Sequence, residues 1–120
     1  MKADDDTYVI VENLRYFLST QNPDDPVYFG HWFNVRVPDG YHSGGGGYVI
    51  SREALRRFGE REKGLCKDDL GAEDVHFGQC MHRLGVQPKD SIDKFGELKL
   101  EACTYYYHTG SLVIPNADLF

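Results

Sequence analysis

Residues 41–58 read Tyr-His-Ser-Gly-Gly-Gly-Gly-Tyr-Val-Ile-Ser-Arg-Glu-Ala-Leu-Arg-Arg-Phe, a glycine run followed by an apolar stretch and then a charged one. The run consists of Gly44, Gly45, Gly46 and Gly47, called the glycine loop below. The apolar stretch predicts a strand, and Ser51 predicts a helix start because its hydroxyl can cap backbone N–H groups. Glycine lets a backbone approach a ligand closely, so the loop is a candidate binding element, with a flexible loop or bulge as the alternative. No Gly-Lys-Ser/Thr sequence follows, which excludes a P-loop.

Apolar periodicity predicts further elements on both sides of this segment. They are helices from Tyr8 to Ser19 and from Ala72 to Leu84, strands at Val27–Phe29 and within His31–Val37, and strand-like or irregular segments at 105–108 and 112–115. Asp6 or Thr7 is the expected N-cap of the first helix, and Gly85 is the expected stop of the last one.

The composition indicates one folded domain, or part of a larger one. The chain has 120 residues, of which 41% are hydrophobic and 13% aromatic. Its net charge of −6 argues against nucleic-acid binding, and the arginines within 52–61 alternate with glutamates instead of forming a basic patch. No apolar run is long enough to cross a bilayer, and no segment has the pattern of a signal peptide.

Asp4, Asp5 and Asp6 form a run of adjacent carboxylates, called the Asp run below. Such a run repels itself unless a cation binds to it. In an extended segment Asp4 and Asp6 point to the same side, so both could bind one ion, and oxygen ligands favour Mg²⁺ or Mn²⁺. A solvated acidic segment is the alternative. An EF-hand Ca²⁺ loop starting at Asp4 is disfavoured, because Val9 and Arg15 would stand where that loop needs its glycine and its bidentate glutamate.

Cys66, Cys80 and Cys103 leave the redox compartment open, because their number is odd. A disulfide between Cys66 and Cys80 would join a loop to the third helix. A zinc site is the rival hypothesis, but its ligands would lack the paired spacing of zinc sites. They would be Cys66, His76, Cys80 and His82.

Glu73 and Asp74 stand in the first turn of the third predicted helix, where the helix dipole favours negative charge. Alone, this pair indicates only a helix start. The order of the motifs is more specific: the Asp run, then a Ser-Gly-Gly-x-Gly-Tyr loop, then Glu-Asp-Val at a helix start. This order resembles the β1,3-glycosyltransferases. The matching segments, which span about residues 1–96, include Lys2–Ile10, Leu14-Arg15, Tyr28–Gly30, Gly40-Tyr41, Ser43–Gly45, Tyr48-Val49, Glu53–Leu55 and Gly78–Met81.

The resemblance implies an α/β fold of the GT-A type, with a mixed sheet and flanking helices. In this family the nucleotide-binding half precedes the Asp run, so residues 1–96 are expected to form the C-terminal portion of an incomplete catalytic domain. Residues 97–120 do not match the family and are expected to be a divergent tail. The family also places a metal-binding histidine in a Phe-His-Pro-like segment soon after residue 96, and this segment is not found.

The family implies transfer of galactose from UDP-galactose to GalNAc on Ser or Thr of glycoproteins, in β1,3 linkage and with inversion, using Mn²⁺ or Mg²⁺. It implies a location at the Golgi membrane on the lumenal side, a homodimer, and a Cys66–Cys80 disulfide in that oxidising compartment. The alternative is a non-catalytic fragment or pseudoenzyme that acts as an interaction module.

By the same resemblance, Asp74 is the general base, and Asp4 and Asp6 bind the metal. The residues expected to bind the substrates are Asp4, Asp5, Tyr41, Glu73 and the glycine loop, Gly44, Gly45, Gly46 and Gly47. Tyr41 or Trp32 is expected to stack on a sugar face, with a place in the core as the alternative.

Overall fold

The computed structural model of the chain describes residues 1–66 and 71–91, together with the backbone of two strands further on. The elements, in chain order, are β1 (Thr7–Val9), α1 (Val11–Leu18), β2 (Val27–Gly30), β3 (Trp32–Phe33), β4 (Tyr41–His42), β5 (Tyr48–Ile50), α2 (Arg52–Gly59), α3 (Glu73–Arg83), β6 (Gln87–Asp90), β7 (Thr104–His108) and β8 (Ser111–Val113). None of the helices in this described part has the length and apolar character needed to cross a membrane.

A mixed sheet in the order β5-β2-β6 lies at the centre of the fold. Strand β5 pairs with β2 in the antiparallel sense, and β6 pairs with β2 in the parallel sense. A second sheet has the order β1-β7-β8, and β3 and β4 form a two-stranded hairpin. The mixed sheet with helices agrees with the expected α/β class.

Helices cover both faces of the central sheet, because successive side chains of β2 point to opposite faces. On one face Tyr28 packs with buried residues of α2 and α3, among them Ala54 and Met81. On the other face Val27 and Phe29 pack against residues of α1. All four residues of β2 are buried, as expected for a strand between two layers.

The helix boundaries that local signals predict are confirmed for α2 and α3. The Ser51 hydroxyl accepts the backbone N–H of Ala54 at 3.1 Å and so caps α2. Helix α3 ends at Arg83, and Gly85 follows with a φ of +67°, a conformation that favours glycine. Within α2, Leu55 is exposed instead of contributing to the core.

The prediction for the first helix is wrong at its start. Residues Thr7–Val9 form β1 and pair with residues 104–106 of β7, so α1 begins only at Val11. Ile10 is the N-cap residue and makes no side-chain cap, and the Thr7 hydroxyl instead donates to the carbonyl of Gly45 at 2.9 Å. A long-range strand pairing overrides the local helical pattern here.

The strand predicted within His31–Val37 is shorter than expected. Only Trp32 and Phe33 pair with β4. The chain then turns, and Arg36 adopts a φ of +64°, which is incompatible with a continuing strand.

Cys66 and Cys80 form a disulfide that links the loop before α3 to the helix itself. Neither sulfur is therefore available to bind zinc. His82, another residue of the zinc hypothesis, has its Nδ1 2.5 Å from Oδ2 of Asp39. Within the described ranges no three histidine, cysteine or acidic side chains gather in an arrangement that could hold a metal. The zinc hypothesis is wrong.

Gly78 allows the β3–β4 hairpin to contact α3. A Cβ atom at this position would lie 2.5 Å from Cβ of Tyr41. We expect Gly78→Ala to lower the free energy of unfolding by about 1 to 3 kcal/mol, the usual cost of overpacking, although alanine is the better helix former. Urea denaturation measures the change.

Gly59→Ala is the matched control, because nothing lies within 4 Å of a Cβ at this last residue of α2. It should leave stability unchanged or raise it by up to ~1 kcal/mol. Equal effects of the two substitutions would show that the hairpin does not press against α3 at Gly78.

Candidate active site

The first turn of α3 faces the glycine loop. The backbone N–H of Gly44 donates to Oδ2 of Asp74 at 3.1 Å. A Cβ at Gly44 would lie 2.9 Å from Nζ of Lys2 and 3.3 Å from Oε2 of Glu73, so only glycine fits without a shift of these groups. The glycine loop therefore contacts the acidic turn of α3 through the backbone of Gly44.

Glu73 is held by two donors from other parts of the chain. The Tyr48 hydroxyl donates to Oε1 of Glu73 at 2.6 Å, and Nζ of Lys2 lies 3.1 Å from Oε2. Burial, followed by the hydrogen bond to the Glu73 carboxylate, raises the pKa of Tyr48, so this hydroxyl keeps its proton and remains a donor.

Lys2 connects the Asp run to this turn. Its Nζ donates to Oδ1 of Asp4 at 2.6 Å and also contacts Glu73. Two backbone hydrogen bonds of 2.9 Å between Lys2 and Tyr48 fix the segment against β5. Burial alone would lower the pKa of the Lys2 ammonium, but the hydrogen bonds to Asp4 and Glu73 outweigh burial and raise it, so the group stays charged.

The predicted site residues thus meet from three distant segments. Lys2 pairs with both Asp4 and Glu73, and Asp74, the next residue after Glu73, accepts the N–H of Gly44. Asp5 and Asp6 are exposed and lie next to Asp4 in the chain.

The rest of the glycine loop follows Gly44 in the chain, and Tyr41 lies against the same helix as Asp74. A Cβ at Gly46 would be 3.6 Å from Cβ of His31, and Gly47 has a φ of +77°. Tyr41 is half-buried against Gly78, one turn along α3 from Asp74, and its ring stacks on Phe33 at 5.8 Å. The stacking of Tyr41 on a sugar stays a prediction.

Trp32 lies on the hairpin and is exposed. Its indole N–H donates to the carbonyl of Asp39 at 3.1 Å, which fixes the ring over Gly40. The structure thus places Trp32 on the hairpin, and its predicted stacking on a sugar stays a prediction.

The Asp run supplies oxygen donors of the type that Mg²⁺ and Mn²⁺ prefer. It does not complete a metal site alone, since the part of the chain described here brings no three candidate ligands together. The Lys2 ammonium stands on Asp4 where a cation would bind. The region where the family has its metal-binding histidine, after residue 96, lies outside the described residues. An EF-hand loop is incompatible with the fold, because strand β1 occupies Thr7–Val9 inside the required stretch.

Three residues of this site had no predicted role there: Lys2, Thr7 and Tyr48. Lys2 carried a signal, since an ammonium two residues before an acidic run can reach it. Its second contact, with Glu73, depends on the backbone bridge to Tyr48, which no local pattern reveals.

Comparison with known proteins identifies the family. The Fringe-like family model matches residues 1–106. The chain is 54% identical over 93 residues to glycoprotein-N-acetylgalactosamine 3-beta-galactosyltransferase 1 of Xenopus laevis, an alignment that covers 77% of this chain and 26% of that protein. It is 37% identical to mouse beta-1,3-glucosyltransferase, over 70% of this chain and 18% of that protein. Human chondroitin sulfate synthase 3 is 32% identical over 71% of this chain and 11% of its own length.

The chain thus spans about a quarter of the length of the Xenopus relative, and less of the others. The family match covers most of the chain, including the Asp run, the glycine loop and the acidic turn of α3. The chain belongs to the Fringe-like family.

Proposed function

We propose that this chain carries the C-terminal part of the catalytic domain of a β1,3-galactosyltransferase of the core 1 type (T-synthase). The reaction is transfer of galactose from UDP-galactose to GalNAc on Ser or Thr of a glycoprotein. Residues 1–96 form the catalytic part in this proposal, and residues 97–120 form a divergent tail. The observation that carries it is the junction of the Asp run, the glycine loop and the acidic turn of α3 through Lys2 and Gly44.

Asp74 is the proposed general base. The 3-hydroxyl oxygen of GalNAc attacks the anomeric carbon of galactose, the bond from that carbon to the UDP oxygen breaks, and the hydroxyl proton passes to the Asp74 carboxylate. One displacement of this kind inverts the anomeric configuration, and it needs a base on the acceptor side. The Gly44 N–H fixes Oδ2 of Asp74, which orients the carboxylate before the acceptor binds.

The glycine loop and Tyr41 are the proposed walls of the sugar pocket. Side chains on Gly44, Gly45, Gly46 or Gly47 would obstruct the sugar, whereas their backbone groups can approach its hydroxyls. Glu73, fixed by Tyr48 and Lys2, offers acceptors for sugar hydroxyls near the base.

The Asp run is the proposed donor side. Asp4 and Asp6 would hold Mn²⁺, or Mg²⁺, together with ligands outside the described residues, and Asp4 and Asp5 would face the nucleotide sugar. A divalent cation bound there would neutralise charge on the diphosphate and so make UDP a better leaving group.

The proposed location is the lumenal side of the Golgi membrane, as the resemblance to the β1,3-glycosyltransferases implies. The Cys66–Cys80 disulfide supports an oxidising compartment. The same proposal includes assembly of the protein as a homodimer, which the family resemblance implies.

Calorimetric titration with UDP tests the donor site directly. We expect the 120-residue chain to bind UDP in the presence of Mn²⁺ and to lose most of this affinity when Mn²⁺ is removed by chelation. ADP controls for recognition of the uracil ring of UDP. Asp24→Asn controls for the loss of one exposed carboxylate outside the site.

The competing function is a non-catalytic fragment or pseudoenzyme that acts as an interaction module. A cooperatively folded chain that binds neither UDP nor Mn²⁺ would support that function and overturn the transferase proposal.

A further inference from the structure

Lys2 occupies an unusual position for a lysine beside a candidate cation site. Its ammonium contacts Oδ1 of Asp4 at 2.6 Å and Oε2 of Glu73 at 3.1 Å, and it lies 5.7 Å from the centre of the Tyr48 ring. The side chain is only 34% exposed, so it is more confined than a typical surface lysine. Two backbone hydrogen bonds to Tyr48 hold the main chain of Lys2 against β5.

This geometry satisfies two carboxylates that would otherwise repel each other. Asp4 belongs to the Asp run and Glu73 to α3, and the Lys2 ammonium is the charge between them. A divalent cation at the Asp run would use the oxygens of Asp4 that the ammonium now contacts. Two cations that share one carboxylate also repel each other, so each weakens binding of the other.

We infer that Lys2 is a positioning residue, an internal counter-ion that holds the Asp run against the first turn of α3 and competes with a divalent cation for Asp4. A cation bound there would displace the Lys2 ammonium from Asp4, and Lys2 would remain paired with Glu73. The inference rests on the proposed function only in assuming that a cation binds at the Asp run.

The Mn²⁺ affinity of the unliganded chain, measured by calorimetry without any nucleotide, is the test. We expect Lys2→Met to bind Mn²⁺ about tenfold more tightly than the natural chain, the effect of removing one unit charge close to the ion at a partly exposed site. Lys2→Arg keeps the charge and should stay within about twofold. Thermal melts followed by circular dichroism establish that each variant is folded.

Two controls isolate the contact with Asp4. Lys63→Met removes the same charge from an exposed loop position after α2, and it should leave the Mn²⁺ affinity unchanged. In an Asp4→Asn background, Lys2→Met should raise the Mn²⁺ affinity less than about threefold, because the carboxylate that both cations share is gone. This double-mutant cycle isolates the interaction between Lys2 and Asp4.

The inference is overturned if Lys2→Met binds Mn²⁺ no more tightly than the natural chain, if Lys63→Met gains as much, or if neither the natural chain nor Lys2→Met binds Mn²⁺. A chain that binds UDP while failing this test would leave the transferase proposal standing, so the two failures are distinguishable.

Discussion

Asp74→Asn is expected to lower galactose transfer by about 10² to 10⁴-fold while leaving UDP affinity within about twofold, because general-base catalysis contributes an effect of that size. Asparagine keeps an oxygen that can accept the Gly44 N–H, so the loop contact survives while the basic group is lost. Because the chain spans a quarter of its Xenopus relative, transfer is measured both on the chain itself and on a chimera completed with that relative's flanking sequence.

Asp24→Asn serves as the matched control for this substitution. Asp24 is an exposed carboxylate paired with Arg52, away from the acidic turn, and the same chemical change there should leave transfer unaffected. Turnover of Asp74→Asn close to that of the natural protein would mean that another group accepts the proton, and the assignment of the base would be wrong.

Removal of the Cys66–Cys80 disulfide is expected to lower the free energy of unfolding by about 3 kcal/mol, the loss expected when a ring of this size is opened. The two cysteines are 14 positions apart, and Cys80, which belongs to α3, is buried in the hydrophobic core. Urea denaturation of the Cys66→Ala, Cys80→Ala double variant measures the loss.

The position of this disulfide makes it relevant to the site as well. It fixes the chain that enters the first turn of α3, where Glu73 and Asp74 lie. A reducing agent should destabilise the natural chain and have little effect on the double variant. Equal stability of the two proteins under oxidising conditions would show that the ring does not constrain the unfolded chain.

The elements that sequence analysis predicted correctly are those with local causes. Ser51 and Gly85 mark the ends of helices by their own hydrogen bonding and backbone conformation, and β2 follows from a run of apolar residues. Strand β1 was predicted as helix because its partner, β7, lies about a hundred residues away, and no local pattern encodes that pairing.

In the candidate site, too, the features with local signals were predicted and those that depend on long-range packing were not. Asp74 and the glycine loop were singled out by motif and family resemblance, and the structure places them in hydrogen-bond contact. The bridge from Asp4 through Lys2 to Glu73 depends on how residues at the two ends of a seventy-residue segment pack, so only the three-dimensional structure reveals it.

The most direct measurement of the central claim is the product formed from UDP-galactose and a GalNAc-bearing peptide by the chain completed with the flanking sequence of the Xenopus relative. We predict a galactose in β1,3 linkage to GalNAc, identified by NMR of the isolated glycopeptide, at a yield that falls by about 10² or more with Asp74→Asn. A folded, UDP-binding protein that forms no such product, or one that attaches galactose in α linkage, would contradict the account.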